Sequence, residues 1–231
     1  PGEGYSYTTV STEKGSFGVY LLKFASSSVT IKTIAAINDD CKDDCATKSL
    51  EQYVSENRSY AGRAGSYTCP ADYDWCDDKT WSFDFALYDS NDKKWLNKDA
   101  LSWNETGMVT LTGQSTNFYE ETSDFDGDYV TAGISNFPSL LNDGNIVVDS
   151  GDIDSYQEVK GIRGAIGFDN DNVYLAYVSG ASVIDAAYAL RALGVQDALN
   201  LDGGGTSAMY VNGGYVVGPG RPLANAVLII R

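Results

Sequence analysis

Residues 173–207 constrain the fold of this chain more than any other segment. The apolar, strand-like stretch Val173–Val178 is followed by an amphipathic helical stretch, Ser182–Leu193, and then by a second strand-like stretch, Ala198–Leu201. The helical stretch begins at a serine, a favoured N-cap residue, and precedes a glycine, the residue that most often lies just past a helix. A strand, a helix and a strand in succession predict a right-handed parallel crossover with the helix packed on the sheet.

The second strand leads directly into Asp202 and the glycine run Gly203–Gly205. Glycines in succession leave backbone N–H groups open to close approach, so the run predicts an anion-binding loop beside a carboxylate. Ligand sites of helix-and-sheet proteins usually lie at the C-terminal ends of strands, which is where this loop is expected. The alternative is a tight turn at a sheet edge. Hydroxyl groups suited to hydrogen-bond a ligand follow at Thr206 and Ser207.

Strand-like patterns dominate the N-terminal part of the chain. In the first 37 residues apolar and polar side chains alternate, which predicts hairpins that turn at Glu13–Ser16 and at Ala25–Ser28. A short helix is predicted at Ser49–Asn57, because its first and fourth residues are the serine and glutamine of a capping box.

The remaining pattern predicts short strands joined by long loops, followed by a C-terminal hairpin and a final strand. These strands are expected within Trp81–Leu87, Met108–Leu111, Tyr129–Ile134, Ala208–Val217 and Ala226–Ile230. Together the elements predict an α+β fold: a single compact domain over residues 1–231, with a mixed β-sheet, few helices and one long helix at about 182–193 packed on the sheet.

The charge and composition of the chain argue against several classes of function. Its 16 basic and 32 acidic side chains give a net charge of −16, which would repel nucleic acid and anionic membrane surfaces. It has no histidine, so a Ser-His-Asp triad or a histidine-ligated zinc site is excluded. No apolar run reaches the ~18–20 residues needed to span a bilayer. Since no signal-peptide pattern is visible at Pro1, we expect a soluble chain from which any such segment has been removed.

Four cysteines, Cys41, Cys45, Cys69 and Cys76, lie in the first third of the chain. An even number favours two disulfides, with the local pairs Cys41–Cys45 and Cys69–Cys76 as the simplest connectivity. The alternative is a four-thiolate zinc site, for which the spacings are loose. Disulfides predict a secreted, extracellular or cell-surface protein.

Two sequons place potential glycosylation sites at Asn57 and Asn104. They would be used only if the source organism glycosylates such sites, and sequons also arise by chance.

Acidic residues recur at alternate positions around Gly127. Asp124, Asp126 and Asp128 offer the hard oxygen ligands that calcium prefers, although the glutamate that would complete an EF-hand is missing. A structural calcium ion is one prediction for this segment, and a solvated acidic loop is the other. No cofactor is expected to be required for function.

Several segments carry a resemblance to a known family. They are Arg163–Gly167, Asp197–Ser207, Gly65–Tyr67 with Cys69–Tyr73, Gly133–Pro138, and Gly218–Pro222 with Asn225. Together they resemble the phosphodiester glycosidase family, over about residues 15–231 and most specifically in the last 70 residues.

The resemblance implies cleavage of a sugar-1-phosphodiester at its anomeric side, which releases the sugar and leaves a phosphomonoester. This reaction needs a phosphate cradle, a carboxylate near the anomeric carbon or its attacking water, and a sugar-binding surface. Arg163 is the predicted phosphate ligand, because a guanidinium group pairs bidentately with phosphate; a structural salt bridge is the alternative. Asp202 is the predicted nucleophile or general base, and a turn or helix cap is its alternative role.

Other residues of these motifs are predicted to orient the ligand. The catalytic set is completed by Asn200, Thr206 and Ser207. The predicted substrate-binding residues are Gly65, Ser66, Tyr67, Gly203, Gly204, Gly205, Arg221 and Asn225. Arg221 has a loop anchor as its alternative role. Tyr67, Tyr73 or Trp75 are candidates for stacking on a sugar face.

The first motif departs from the family pattern at Ala64, where asparagine is usual, and at Thr68, where phenylalanine is usual. The first departure removes a polar side chain from the expected pocket, which predicts weakened catalysis. From the family resemblance as a whole, the leading prediction is a secreted hydrolase that takes a glycan or sugar-phosphate ligand. The alternative is an extracellular structural protein, able to self-associate, or a carbohydrate-binding protein.

Overall fold

The computed structural model describes residues 2–231, which form 17 β-strands and three short α-helices. The strands are β1 (Gly4–Thr12), β2 (Gly15–Ala25), β3 (Thr30–Ala35), β4 (Ala61–Ala64), β5 (Leu87–Asp89), β6 (Lys94–Leu96), β7 (Gly107–Thr112), β8 (Ser115–Tyr119), β9 (Ala132–Asn136), β10 (Ser139–Asn142), β11 (Asn145–Ile146), β12 (Gly161–Phe168), β13 (Asn172–Ala181), β14 (Asp197–Leu201), β15 (Met209–Val211), β16 (Gly214–Val217) and β17 (Asn225–Ile230). The helices are α1 (Leu50–Glu56), α2 (Ser155–Glu158) and α3 (Val183–Ala192). Within residues 2–231 no helix has the length and apolar character needed to cross a membrane.

The largest sheet has seven strands in the order β1-β2-β13-β12-β14-β10-β11, and all neighbours are antiparallel. Helix α3 packs on this sheet through fully buried Val183, Ala186 and Leu190, which cluster with apolar residues of β2, β12 and β13. Its first turn is closed by a capping box, in which Ser182 Oγ accepts from the Asp185 N–H at 3.1 Å and Asp185 Oδ2 accepts from the Ser182 N–H at 2.8 Å. The predicted helix and its cap are confirmed.

The predicted crossover between β13 and β14 differs from the observed one. Both strands pair antiparallel with β12, so they run parallel to each other but are not neighbours. The reason is that β12 and β13 form a hairpin, which leaves β12 between the two strands that α3 connects. The prediction is right about strand direction and wrong about adjacency.

Two five-stranded sheets complete the fold, with the orders β16-β15-β4-β17-β3 and β6-β5-β9-β7-β8. The main core lies where the three sheets meet, and it combines residues such as Phe24, Ile134, Leu175 and Val227. Helix α1 covers the other face of the second sheet, where Leu50 packs in a separate cluster. The α+β class with few helices is confirmed.

The local elements predicted near the chain ends are confirmed, and one central prediction is wrong. The turns at Glu13–Ser16 and at Ala25–Ser28 join β1 to β2 and β2 to β3, and the C-terminal hairpin forms as β15 and β16. In the segment predicted as a strand at Trp81–Leu87, only Leu87 begins a strand. Trp81 has a left-handed backbone conformation, with φ of 59°, which interrupts a strand.

Candidate active site

Asp202 lies directly after β14, at the point where the large sheet approaches the second sheet. Its main-chain N–H donates a 2.9 Å hydrogen bond to the carbonyl oxygen of Gly65, just past the end of β4. Gly164 on the neighbouring strand β12 must lack a side chain, because a Cβ there would lie 2.4 Å from the Asp202 carbonyl oxygen and 2.3 Å from Nη2 of Arg63. The carboxylate is therefore fixed between two sheets that meet at close range.

Arg63, the central residue of β4, is a functional residue that the sequence reasoning missed. It is fully buried, and no salt bridge within residues 2–231 involves it. Its guanidinium group instead donates to main-chain carbonyl oxygens, including those of Ala165 at 3.0 Å and Asp202 at 2.6 Å. The guanidinium carbon Cζ of Arg63 lies 4.4 Å from the centroid of the Tyr177 ring. The signal in the sequence is a lone charge within a strand of small residues.

The environment of Asp202 suits a group that exchanges a proton near neutral pH. Burial raises the pKa of its carboxyl to about 7, while the Gly203 N–H, Arg63 and the Thr206 hydroxyl act in the opposite direction. The Gly203 N–H donates to Oδ1 at 2.8 Å. A carboxyl group with this pKa is present in both protonation states at pH 7, which suits acid/base work, and its ionised fraction is available as a base or nucleophile.

The glycine run after Asp202 forms a turn whose N–H groups are open. Gly204 has φ of +54°, a conformation that favours glycine, and both Gly204 and Gly205 are exposed. Among the hydrogen bonds of residues 2–231, none is donated by the N–H of either glycine. The loop thus presents two unpaired N–H groups beside a carboxylate, which is the geometry that the predicted anion-binding loop requires.

A cavity of about 370 Å³ opens over this loop. Its charged and hydroxyl-bearing wall includes Asp202, Thr206, Arg163 and Arg221. The other residues that line it are Tyr67, Thr68, Cys69, Pro70, Tyr73, Trp75, Cys76, Phe137, Asp154, Tyr156, Gln157, Gly203, Gly204 and Gly205.

The two arginines of the cavity are held in different ways. Arg163 is anchored by main-chain carbonyl oxygens: its Nε donates to Ala181 at 3.2 Å, and its Nη2 donates to Tyr156 at 2.6 Å and to Val159. Hydrogen bonds to neutral carbonyls leave its positive charge uncancelled, and no salt bridge within residues 2–231 involves Arg163.

Arg221 forms a salt bridge with Asp72, with 2.6 Å between Nη2 and Oδ2, and its guanidinium lies 5.0 Å from the centroid of the Tyr73 ring. Its main-chain N–H also donates to the Gly205 carbonyl at 3.0 Å. This arginine therefore links the glycine turn to the loop that carries Asp72.

Tyr67 lies at the inner end of the cavity. Its hydroxyl accepts hydrogen bonds from Gln157 Nε2 at 3.0 Å and from Asn200 Nδ2 at 2.6 Å. Its ring packs against Phe137, with centroids 5.5 Å apart. Asn200 is buried and does not line the cavity, so it reaches the site only through Tyr67. Gln157 was missed by the sequence reasoning, although Asp154 and Gln157 have the spacing of a capping box.

Three aromatic rings form a ledge at the mouth of the cavity. Tyr73 and Trp75 have centroids 4.6 Å apart, and Trp75 and Tyr156 have centroids 5.7 Å apart. Trp75 and Tyr156 are 54% and 61% exposed, so their faces are free to contact a ligand. The disulfide between Cys69 and Cys76 closes the loop that carries the first two rings. The disulfide pairings Cys41–Cys45 and Cys69–Cys76 are confirmed.

Besides Asn200, four residues of the predicted site do not line the cavity. Gly65, Ser66 and Asn225 form a buried support, in which Asn225 Oδ1 accepts from the Ser66 N–H at 2.8 Å. A Cβ on Gly65 would lie 1.9 Å from that same oxygen, so the glycine is needed for packing. Ser207 is also buried, and its hydroxyl has no partner within residues 2–231.

Ala64 lies outside the cavity as well. Its side chain is fully buried in the cluster beneath α1, with Leu50 and Ala208. The expectation that Ala64 deprives the pocket of a polar side chain is therefore not supported. Thr68, the second departure from the family pattern, does line the cavity.

The predicted calcium site is not formed. Within residues 2–231 no three carboxylate or cysteine side chains are grouped so as to hold a metal ion, and this includes Asp124, Asp126 and Asp128. Asp126 Oδ1 instead accepts a 3.3 Å hydrogen bond from the Asp128 N–H, as in a solvated turn.

The two sequons differ in accessibility. Asn104 is exposed. The Asn57 side chain is half-buried and engaged at both ends, since its Nδ2 donates to the Tyr53 carbonyl at 2.9 Å and its Oδ1 accepts from Asn91 at 3.0 Å. Of the two predicted glycosylation sites, Asn104 is the accessible one.

Comparison with known proteins agrees with this geometry. A family model described as phosphodiester glycosidase matches residues 85–230 of the chain. The fold is similar to that of the zebrafish N-acetylglucosamine-1-phosphodiester alpha-N-acetylglucosaminidase catalytic domain auto-inhibited by its pro-peptide, with a TM-score of 0.73 and 15% identity over 99% of this chain and 82% of that one. It is also similar to a hypothetical protein from Synechocystis, with a TM-score of 0.66 and 14% identity over 98% of this chain. This chain spans 62% of the length of the Synechocystis protein. At these identities the solved structures establish the fold alone, and no curated protein sequence matches the chain.

Proposed function

The chain belongs to the phosphodiester glycosidase family, whose model matches more than half of it, and from this premise we propose that it hydrolyses a sugar-1-phosphodiester. One observation carries the proposal: Asp202 and the open N–H groups of Gly204 and Gly205 line the same cavity. Two arginines line it as well. A carboxylate beside an anion cradle supplies the two functions that this reaction needs.

The phosphate binds at the glycine turn. The N–H groups of Gly204 and Gly205 donate to its oxygens, and the uncancelled charge of Arg163 faces the same space. The main-chain N–H of Arg221 donates to the Gly205 carbonyl and so supports the turn. In a protein with a net charge of −16, this local concentration of donors is what draws a phosphodiester to the cavity.

Asp202 acts on the sugar side of the bond, as the nucleophile or as the general base. As the base, it takes a proton from water while the water oxygen bonds to the anomeric carbon. The bond between that carbon and the phosphate oxygen breaks, and its electron pair leaves with the phosphomonoester. As the nucleophile, its oxygen bonds to the anomeric carbon as the bond from that carbon to the phosphate oxygen breaks and the phosphomonoester leaves with the electron pair; water then hydrolyses the glycosyl ester and frees the carboxylate. Both routes need the ionised carboxylate.

The sugar lies against the aromatic ledge of Tyr73, Trp75 and Tyr156. Exposed aromatic faces at the mouth of a polar cavity offer apolar contact to a pyranose ring without requiring a particular hydroxyl pattern. The two disulfides fit a secreted protein, and we place this activity outside the cytoplasm.

Hydrolysis in ¹⁸O-labelled water tests the proposal. A panel of α-sugar-1-phosphate diesters is incubated with the protein, and both products are analysed by mass spectrometry. Cleavage at the anomeric carbon puts ¹⁸O in the sugar and none in the phosphomonoester. Label in the phosphate would mean attack at phosphorus and would overturn the glycosidase assignment, as would the absence of turnover across the panel.

The alternative function is an extracellular structural or carbohydrate-binding protein with weakened catalysis, and it rests on Ala64, on the many aromatic and small polar residues and on the oxidised cysteines. Because the Ala64 side chain packs beneath α1 and not in the cavity, this residue gives no reason to prefer it. The variant Ala64→Asn compares the two directly: the enzyme proposal expects it to lose stability without gaining activity, whereas the alternative expects it to gain turnover.

A further inference from the structure

The hydroxyl group of Tyr67 has both of its accepting positions occupied. Gln157 Nε2 and Asn200 Nδ2 each donate a hydrogen bond to it, at 3.0 and 2.6 Å. A phenolic oxygen carries one proton and accepts at its lone pairs, so the proton of Tyr67 must be directed away from both amides.

The orientation of each amide is fixed by a second contact. Gln157 Oε1 accepts from the Asp154 N–H at 3.2 Å in the capping box of α2, so the NH₂ end of this side chain is the end that faces Tyr67. Asn200 Nδ2 also donates to the Phe137 carbonyl at 2.9 Å, which fixes its NH₂ end in the same way. Neither amide can be turned to accept the tyrosine proton without losing a hydrogen bond.

Asn200 keeps this orientation at an energetic cost. Its Oδ1 is buried and has no hydrogen-bond partner within residues 2–231. A buried acceptor without a partner is unfavourable, and such groups call for a specific explanation. Here the explanation is that both amide protons are committed, one to the Phe137 carbonyl and one to Tyr67.

The O–H bond of Tyr67 is therefore directed into the cavity. Among the hydrogen bonds of the described residues, none is donated by the Tyr67 hydroxyl, and the side chain lines the cavity beside Asp202 and the glycine turn. The ring is held between Phe85 and Phe137, with centroid distances of 6.3 and 5.5 Å. Burial raises the pKa of the phenol to about 12, so the proton is retained throughout the neutral range.

We propose that Tyr67 is a preorganised hydrogen-bond donor to a phosphate oxygen of the substrate, with Gln157 and Asn200 as the positioning residues that aim it. The assignment rests on the proposed function and adds a third donor to the two N–H groups of the glycine turn. It replaces the prediction that Tyr67 stacks on a sugar. No proton is transferred: the O–H stays intact and stabilises the negative charge that grows on the departing phosphate.

The variant Tyr67→Phe tests the proposal, because it removes the O–H and keeps the ring. The companion variant is Gln157→Met, which removes one of the two contacts that aim the hydroxyl and leaves the donor itself in place. Tyr67→Phe is expected to lower kcat by about 10²-fold, the loss typical of removing one donor from a preorganised site. Gln157→Met is expected to lower it by less than about 10-fold, and the thermal midpoints of both variants are measured alongside.

Binding of inorganic phosphate gives a second readout that does not depend on turnover. Its dissociation constant, from calorimetric titration, is expected to rise by about 10-fold in Tyr67→Phe and by a smaller factor in Gln157→Met, where the donor remains but is less firmly aimed. If both variants lose activity and thermal stability in the same proportion, the hydroxyl is only a structural acceptor and the inference is overturned. If wild type hydrolyses no diester, the proposed function fails. The role of Tyr67 is tested separately, because equal phosphate binding by wild type and Tyr67→Phe would overturn it whether or not the protein is active.

Discussion

Nη2 of Arg63 donates a 2.6 Å hydrogen bond to the main-chain carbonyl oxygen of Asp202, so a fully buried cation holds the backbone of the proposed catalytic residue. The contact joins β4 of one sheet to the end of β14 in another. It positions the backbone of Asp202 and lowers the pKa of its carboxyl, against the larger effect of burial.

Replacing Arg63 with methionine is expected to destabilise the protein by about 3 kcal/mol or more, because several buried carbonyl oxygens lose their donor. Urea unfolding monitored by tryptophan fluorescence measures the change. The surface variant Arg191→Met, which loses a 3.8 Å ion pair with Glu13 and a contact with the face of the Tyr188 ring, is the control and is expected to stay within about 1 kcal/mol of wild type. Equal effects of the two variants would contradict the role given to Arg63.

The rate of hydrolysis is expected to rise with pH and to level off above about pH 7, because Asp202 must be ionised and burial places its pKa at about 7. The hydroxyl of Thr206 lowers this pKa, so Thr206→Val is expected to move the midpoint of the kcat/KM profile to higher pH. A midpoint that stays in place in this variant would show that another group controls the profile.

The variant Asp202→Asn is expected to be inactive and yet more stable than wild type at pH 8. The unfolded chain ionises Asp202 near pH 3.8 and the folded chain near pH 7, so the contribution of Asp202 to stability is greatest below about pH 4 and is lost as pH rises to about 7. A tenfold change in the ionisation constant corresponds to about 1.4 kcal/mol. Because asparagine cannot ionise, the variant is expected to be up to about 4 kcal/mol more stable than wild type at pH 8 and little changed at pH 4. Thermal unfolding at both pH values measures this, and a stability difference independent of pH would contradict the raised pKa.

The variant Gly205→Ala is expected to weaken phosphate binding with little loss of stability. A Cβ at this position would lie 2.7 Å from Nη1 of Arg221, so the flexible arginine must move from its place behind the turn. Gly214→Ala is the matched control, because a Cβ there meets nothing within 4 Å. Titration with inorganic phosphate distinguishes the two variants, and unchanged binding by Gly205→Ala would exclude the turn as the phosphate site.

Removing the Cys69–Cys76 disulfide by a double serine substitution is expected to raise KM by about 10-fold and to leave kcat nearly unchanged. The disulfide closes the loop that carries Tyr73 and Trp75, so its loss loosens the sugar-binding ledge and not the carboxylate. Steady-state kinetics of this variant are compared with those of the Cys41–Cys45 double variant, which lies outside the cavity. A similar rise in KM in both variants would point to general destabilisation.

The parts of the fold that were predicted correctly have local causes. Helix α3 is specified by the capping serine, one apolar face and a closing glycine, all within residues 182–194. The hairpins are specified by alternation and by turn residues between the strands. Cysteines four and seven residues apart pair locally, and both disulfides follow from that spacing.

The parts that were missed depend on contacts between distant segments. Nothing local places β12 between β13 and β14, because strand order is decided by how the whole sheet assembles. Arg63 is not singled out by any motif, because its burial depends on strands from distant segments that pack around it. The direction of the Ala64 side chain follows from the register of β4 with β15 and β17, and a motif match does not contain that register.

The hydrogen bond between Arg63 and Asp202 spans 139 residues of sequence. Contacts of such long range require the intervening chain to be ordered first, since the entropy of closing a long loop must be overcome before the contact is gained. The proposed phosphate site, in which Asp202 is held by Arg63 from another sheet, is thus expected only in the fully assembled protein. Ligand binding to this cavity therefore serves as a probe of the finished fold, one that distinguishes the native protein from compact intermediates with similar secondary structure.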